Sequence, residues 1–266
     1  MKISLVFLMA VSLFYVGPLH ADLPDAIAKV KPAVVIVGTF KSTSSPRFAL
    51  RGTGFVVSHA AAESAPSGMS NLVVTNAHVL PSAAEADLDA NLVIQLRVAP
   101  NEWQMRAATV LEVDKIHDLA LLRFDGPAMA ALHVRDSNAV QEGQAVAFMG
   151  FPIGGALGFS PVTHRGMISS ITAAALPTPS AQQLNEKTIR SLRGGNSFNI
   201  FQLDGTAYPG NSGGPLFDPD TADVLGVVNM VFIKGTKESA LSSPSGISYA
   251  IPSGFILQLL QRSLVH

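Results

Sequence analysis

Short apolar runs rich in Val, Ile, Leu and Phe recur along the whole chain, each closed off by Gly, Pro, Asn or Ser. Runs of that length, bounded by turn formers, predict β-strands. Six fall in the first half, over 33–40, 52–58, 71–76, 91–98, 103–113 and 119–124. Six more follow, over 144–150, 161–172, 199–203, 214–217, 223–232 and 246–251. Only two stretches carry helical spacing: "LPDAIAKVKPA" near the start, and "PSGFILQLLQRSL" over 252–264, whose apolar residues line one face. Many strands with little helix predict sandwiches or barrels, and the six-plus-six count predicts two barrels divided near residues 126–143. We expect an all-β protein of two six-stranded antiparallel β-barrels with a short C-terminal helix, the first over 22–135 and the second over 136–266.

Three polar segments interrupt this rhythm, over 58–71, 81–90 and 177–198. Long loops in a compact domain are usually functional or disordered, and the third precedes the strand leading to Ser212, where it can border a site. The start of the chain follows a different pattern. Lys2 precedes the apolar run "ISLVFLMAVSLFYV", then Gly17, Pro18 and a small residue, Ala21. A positive start, a short apolar core and a small residue before the cut describe a secretory signal peptide. The run is shorter than the ~20 apolar residues of a membrane-spanning helix, although Leu19 is not the usual small residue of a cleavage site. Residues 1–21 are therefore expected to be removed, leaving Asp22–His266 with no membrane span.

Composition then narrows the partners. There are no cysteines, so no disulfide holds the fold and no thiolate does chemistry. An exported chain without disulfides relies on its core, which suits a bacterial periplasm, or secretion, better than a small disulfide-stapled domain. A net charge of −1 with 14% charged residues offers no footprint for nucleic acid or anionic lipid. Peptides or proteins are the expected partners. No cofactor is implied, and no ligand cluster suggests a metal.

One serine stands in "YPGNSGGPLFD", Tyr208–Asp218, on a sharply punctuated turn before a strand. Pro, Gly, Asn and Ser are common turn residues, but such a turn can also hold a nucleophile. A serine nucleophile needs a base, and the base needs an orienting group. Of seven histidines, His78 in "TNAHVL" follows an apolar strand, where a side chain can leave a rigid strand end and enter a crevice. Asp118 in "DKIHDLALLRF" stands at the mouth of another, where a partly buried carboxylate requires a partner. Asp114 and Asp125 compete with it, and a neighbour pair between Asp118 and His117 is an alternative. The order His78, Asp118, Ser212, with separations of 40 and 94 residues, is that of chymotrypsin-type enzymes. "GNSGG" also matches the G-x-S-x-G elbow of α/β-hydrolases, but there the acid and histidine follow the serine and a helix follows the turn. Here a strand follows, and the only later histidine is His266.

"GTGFVV", "TNAHVL", "HDLALLRF", "GFPIGG", "PGNSGGPLFD" and "GISYAIPS" resemble the HtrA/Deg branch of the trypsin-like serine peptidases, from about Ala33 to Pro252. The resemblance implies perpendicular barrels with a site between them, His78 as general base, Asp118 as its orienter and Ser212 as nucleophile. It implies an oxyanion hole from the backbone N–H groups of Gly210 and Ser212. Its specificity pocket would have Thr206 as floor and Met230, Val231, Phe232 or Ile233 in the wall, with Asp204 away from the floor. Without a counter-ion in that pocket, cleavage is expected after small or medium aliphatic residues of unfolded proteins.

Three departures matter. The 14 residues after Pro252 are expected to hold no PDZ domain, which such proteins usually carry. Asn211 cannot form the ion pair with a new N-terminus that activates digestive relatives, and "IVG" at Ile36–Gly38 reads as strand. Family members often trimerise, though no residue here demonstrates it. A latent chaperone-like or peptide-binding module, with its oxyanion loop collapsed, remains the alternative reading.

Overall fold

The computed structural model describes residues 22–58, 68–81, 90–99, 102–152, 159–174, 198–229 and 246–264. The expected signal peptide and most of the three polar segments lie outside them.

The first barrel is built from β1 (Val34–Phe40), β2 (Phe48–Val56), β4 (Leu72–Thr75), β5 (Asn91–Ala99), β6 (Glu102–Asp114) and β7 (Leu119–Phe124). They close in the order β1-β2-β4-β7-β6-β5, with β5 returning to β1. The second barrel uses β9 (Ala145–Gly150), β10 (Val162–Ala174), β11 (Phe198–Asp204), β12 (Pro215–Phe217), β13 (Val224–Asn229) and β14 (Ile247–Pro252), closing in the order β10-β11-β14-β13-β12-β9. All twelve expected strands are present and every barrel pairing is antiparallel. Two pieces were not legible in the sequence: β3 (Met69–Ser70) and β8 (Met129–Ala130) form a small separate pair. The β2 strand also begins at Phe48, ahead of the expected Gly52.

Apolar runs without strict alternation arise because several strands are buried on both faces. Along β9, Val146 and Phe148 belong to the second barrel's own core, while Ala147 and Met149 join the core of the first. On β13 a bulge at Leu225, opposite β12, shifts the phase, so Leu225 and Val228 join the second core and Val224 and Val227 the first. Side chains alternate across a strand, so one strand serves both cores. The barrels share an apolar seam, and each fully buried Val, Leu, Ile or Phe there contributes about 1.5–3 kcal/mol.

Helix α1 (Leu23–Val30) is capped by the Asp22 carboxylate, which accepts from Leu23 N, and buries Ala26 and Val30. Helix α2 (Gly254–Arg262) buries Ile256, Leu259 and Leu260, the face its spacing predicts. Although α2 follows the second barrel, it packs against β6 and β7 of the first.

Candidate active site

Strand pairing brings the expected base and acid to one barrel end. Antiparallel pairing of β4 with β7 sets Thr75 beside Ala120. His78 lies three residues beyond the first and Asp118 two before the second, so both emerge together. Asp118 has φ 51, a left-handed conformation that aspartate tolerates better than most residues. Its main-chain oxygen accepts from Ala77 N and from Asn76 Nδ2, each at 3.0 Å. Its carboxylate accepts His78 N at 2.8 Å through Oδ1 and faces His78 Nδ1 at 2.5 Å through Oδ2. The two-point grip holds both ring and backbone of the histidine. Arg51 of β2 stiffens the segment beyond it, donating to Val79 O at 2.7 Å and Leu80 O at 3.2 Å.

The competing acids have other occupations. Asp125 is exposed. Asp114 Oδ1 accepts from Ile116 N and His117 N, shaping the turn that leads to Asp118. Its Oδ2 meets His117 Nδ1 at 2.9 Å and Arg262 Nη2 of α2 at 2.6 Å. Burial raises the Asp114 pKa most strongly, but the bonds from His117 and Arg262 outweigh it and hold the carboxyl at about 2. His117 therefore pairs with Asp114 rather than with Asp118, and its ring stacks on Phe255 at 3.8 Å between centroids.

Ser212 lies on the turn between β11 and β12. Asn211 N donates to Tyr208 O at 2.9 Å; with Pro209 second and Gly210 third at φ 104, the sequence and backbone match a type II turn. Gly213 has φ 85, and a Cβ there would strike Thr53 O and Thr75 Oγ1 of the first barrel. Both glycines thus answer a geometric need. Gly213 N donates to Val228 O at 2.9 Å, and the next residue of β13, Asn229, donates to Asp118 Oδ2 at 2.7 Å. Ser212 O accepts from Thr53 N at 2.9 Å. These links carry the serine turn to the end of the first barrel where His78 and Asp118 stand.

Around Ser212 the backbone donors divide cleanly. The N–H groups of Asn211, Gly213 and Gly214 are bonded to Tyr208 O, Val228 O and Asn211 O. Among the described residues, those of Gly210 and Ser212 have no acceptor, and neither does the Ser212 hydroxyl. The carbonyl oxygens of the same two residues are held by Thr53. Serine–histidine contacts are commonly long without substrate.

Sequence reasoning missed several partners. Asn229 is a buried polar residue in an apolar strand, a signal that it must have a specific partner. His164 of β10 stacks on Phe148 at 4.8 Å, and its Nε2 lies 3.4 Å from Asn211 Nδ2. Burial lowers the His164 pKa below its ordinary 6.5, favouring the neutral ring that can accept from the amide. Thr206, the expected pocket floor, is partly buried, and its neighbours are braced by Ser248 Oγ, which accepts from Ala207 N at 2.7 Å and donates to Gly205 O at 2.6 Å. Asp204 is exposed. Met230, Val231, Phe232 and Ile233 lie outside the described residues. Among the described residues no group of three or more His, Asp or Glu could hold a metal ion, and no helix is long and apolar enough to cross a membrane.

Known proteins share this arrangement of strands. A model of the trypsin-like peptidase domain matches residues 52–227. The chain is 28% identical over 211 residues to a probable periplasmic serine endoprotease DegP-like protein of Marinomonas sp. (strain MWYL1), covering 79% of this chain and 35% of that protein. It is 26% identical over 246 residues to the mitochondrial serine protease HTRA2 of Drosophila grimshawi, covering 90% of this chain and 46% of the relative. It thus spans between a third and a half of the length of these curated relatives. The HtrA-type protease AlgW with decapeptide matches the fold at a TM-score of 0.62 and 20% identity, over 92% of this chain and 68% of that one. AlgW with tripeptide does so at 0.61 and 23%, over 90% and 62%.

Proposed function

The chain belongs to the trypsin-like peptidase domain family, and from that premise we propose that it is an exported serine endopeptidase acting on polypeptides through His78, Asp118 and Ser212. The observation that carries the reading is that the N–H groups of Gly210 and Ser212 have no acceptor among the described residues, on a turn bonded to the barrel end where His78 pairs with Asp118. Two such donors can receive the oxygen of a tetrahedral intermediate.

With Nδ1–H given to Asp118 Oδ2, His78 keeps its Nε2 lone pair for the Ser212 proton. Ser212 Oγ attacks the scissile carbonyl, and the negative oxygen moves to the N–H groups of Gly210 and Ser212. The imidazolium, stabilised by Asp118, returns its proton to the departing amine and leaves an acyl-enzyme. A water activated by the same imidazole then releases the acid. No cofactor enters this sequence. Labelling by a serine-directed peptide phosphonate tests it. Modification confined to Ser212 supports the reading, and a folded protein that takes no label sinks it in favour of the latent binding module.

Substrate choice follows from Thr206. A Lys or Arg side chain would enter a pocket with that floor without a counter-ion, and an unpaired buried charge costs several kcal/mol. A Val, Ala, Leu or Met side chain would instead gain about 25 cal/mol per Å² buried. Digestion of a denatured protein mixture is expected to yield new C-termini that are mainly small or medium aliphatic residues. A majority of Lys or Arg would overturn this specificity and leave the triad untouched.

Export rests on residues 1–21, and a relative described as periplasmic is consistent with it. Protein recovered from the cell envelope is expected to begin at Asp22 or within a few residues of it. Intact mass showing Met1 retained on cytosolic protein would remove the periplasmic or secreted assignment.

A further inference from the structure

Thr53 of β2 is wholly buried and belongs to the barrel opposite Ser212, yet it is bonded on both sides of the oxyanion donors. Its N–H donates to Ser212 O at 2.9 Å. Its hydroxyl donates to Gly210 O at 2.6 Å and accepts from Phe151 N, beyond β9, at 3.1 Å. Its own carbonyl accepts from Thr75 Oγ1 at 2.7 Å, three residues before His78. We propose that Thr53 is a positioning residue of the oxyanion hole, its hydroxyl holding the Gly210–Asn211 peptide and so the place from which the Gly210 N–H meets the reacting carbonyl. This rests on the reading of Gly210 and Ser212 as oxyanion donors.

Type I and type II turns differ chiefly by a flip of the central peptide, which here is the Pro209–Gly210 unit that carries one donor. A glycine samples either sign of φ with little penalty, so Gly210 does not by itself hold the N–H in place. Anchoring Gly210 O fixes the following peptide, Gly210–Asn211, and with it the Cα from which the Gly210 N–H projects. The Thr53 N–H bond to Ser212 O anchors the peptide after the second donor in the same way. A group preorganised before reaction stabilises developing charge without rearranging, and such groups need a supporting shell. The first barrel therefore supplies the brace for a hole formed wholly by the second.

The test compares Thr53→Val, which keeps shape and branching but loses the hydroxyl, with Thr53→Ser, which keeps the hydroxyl. Thr53→Ala removes the same group should the valine variant not fold. A peptide boronate, whose oxygen occupies the oxyanion position, reports on the hole. Affinity for an uncleaved peptide, measured with Ser212→Ala added, reports on the remainder of the site. Loss of a whole oxyanion donor lowers kcat by about 10²–10³, so its misplacement is expected to lower kcat and boronate affinity together by about 10–100-fold. KM and uncleaved-peptide affinity are expected to stay within about threefold, and Thr53→Ser to remain near wild type. An active wild type beside hydroxyl-free variants with unchanged kcat and boronate affinity overturns this inference alone. So does a serine variant as impaired as the valine one, which would assign the effect to shape. A wild type that neither turns over nor binds boronate overturns the functional reading and this inference with it.

Discussion

Ser212→Ala is expected to lower kcat by about 10⁶-fold while the protein keeps its fold. In the proposed mechanism the hydroxyl is the nucleophile, so its removal ends acyl-enzyme formation, and only the oxyanion donors and substrate binding remain to act on attacking water. The fold survives because the Ser212 side chain bonds to no described residue, so alanine leaves no buried partner stranded. The contacts that hold the turn, Thr53 N to Ser212 O and Gly213 N to Val228 O, are made by backbone. Peptide turnover and a thermal melt on the same preparation check both halves. Undiminished turnover by the purified variant would end the peptidase reading.

Asp118→Asn is expected to cost about 10⁴ in kcat, and the hydrogen bonds say why one amide cannot replace this carboxylate. The Oδ1 position receives the His78 backbone N–H, a donor that cannot change, so the amide oxygen must stand there. The amide NH₂ then takes the Oδ2 position, facing His78 Nδ1 and Asn229 Nδ2. Asn229 Nδ2 then loses this acceptor. His78 must also move its proton to Nε2, and that nitrogen can then no longer take the proton of Ser212. The defect is one of tautomer, so a crystal structure of the variant would show His78 unmoved and the melting temperature would fall only modestly. A variant within tenfold of wild type would show that Asp118 does not set the proton's position.

His78, Asp118 and Ser212 could be singled out as candidates because each couples a reactive residue type to a local signal, a strand end or a glycine-rich turn, and the structure pairs the first two. The twelve barrel strands were legible for a related reason. Strands such as β9 are buried on both faces and leave uninterrupted apolar runs, whereas the two-residue β3 and β8 leave none. Thr53, His164 and Asn229 were not legible, since their partners are decided by register and by how the barrels meet. A threonine in "GTGF" is as much a good strand former as a brace, and only Gly210 lying opposite distinguishes the two. The same limit applies to Asp114, which the turn explained in part, while its bond to Arg262 joins residues 148 positions apart.

That long-range bond also sets an order of events. The turn that presents Asp118 leans on α2, through Arg262 against Asp114 and Phe255 against His117. Ribosomes make chains from the N-terminus at about 5–20 residues per second, so several seconds separate the synthesis of that turn from the synthesis of its buttress. Until α2 arrives, the first barrel lacks both the support beneath its acid and part of the core it shares with the second barrel. Ser212 likewise reaches Thr53 only after most of the second barrel exists. The proposed triad is thus completed only when nearly the whole chain, from the turn at Asp114 to Arg262, is in place.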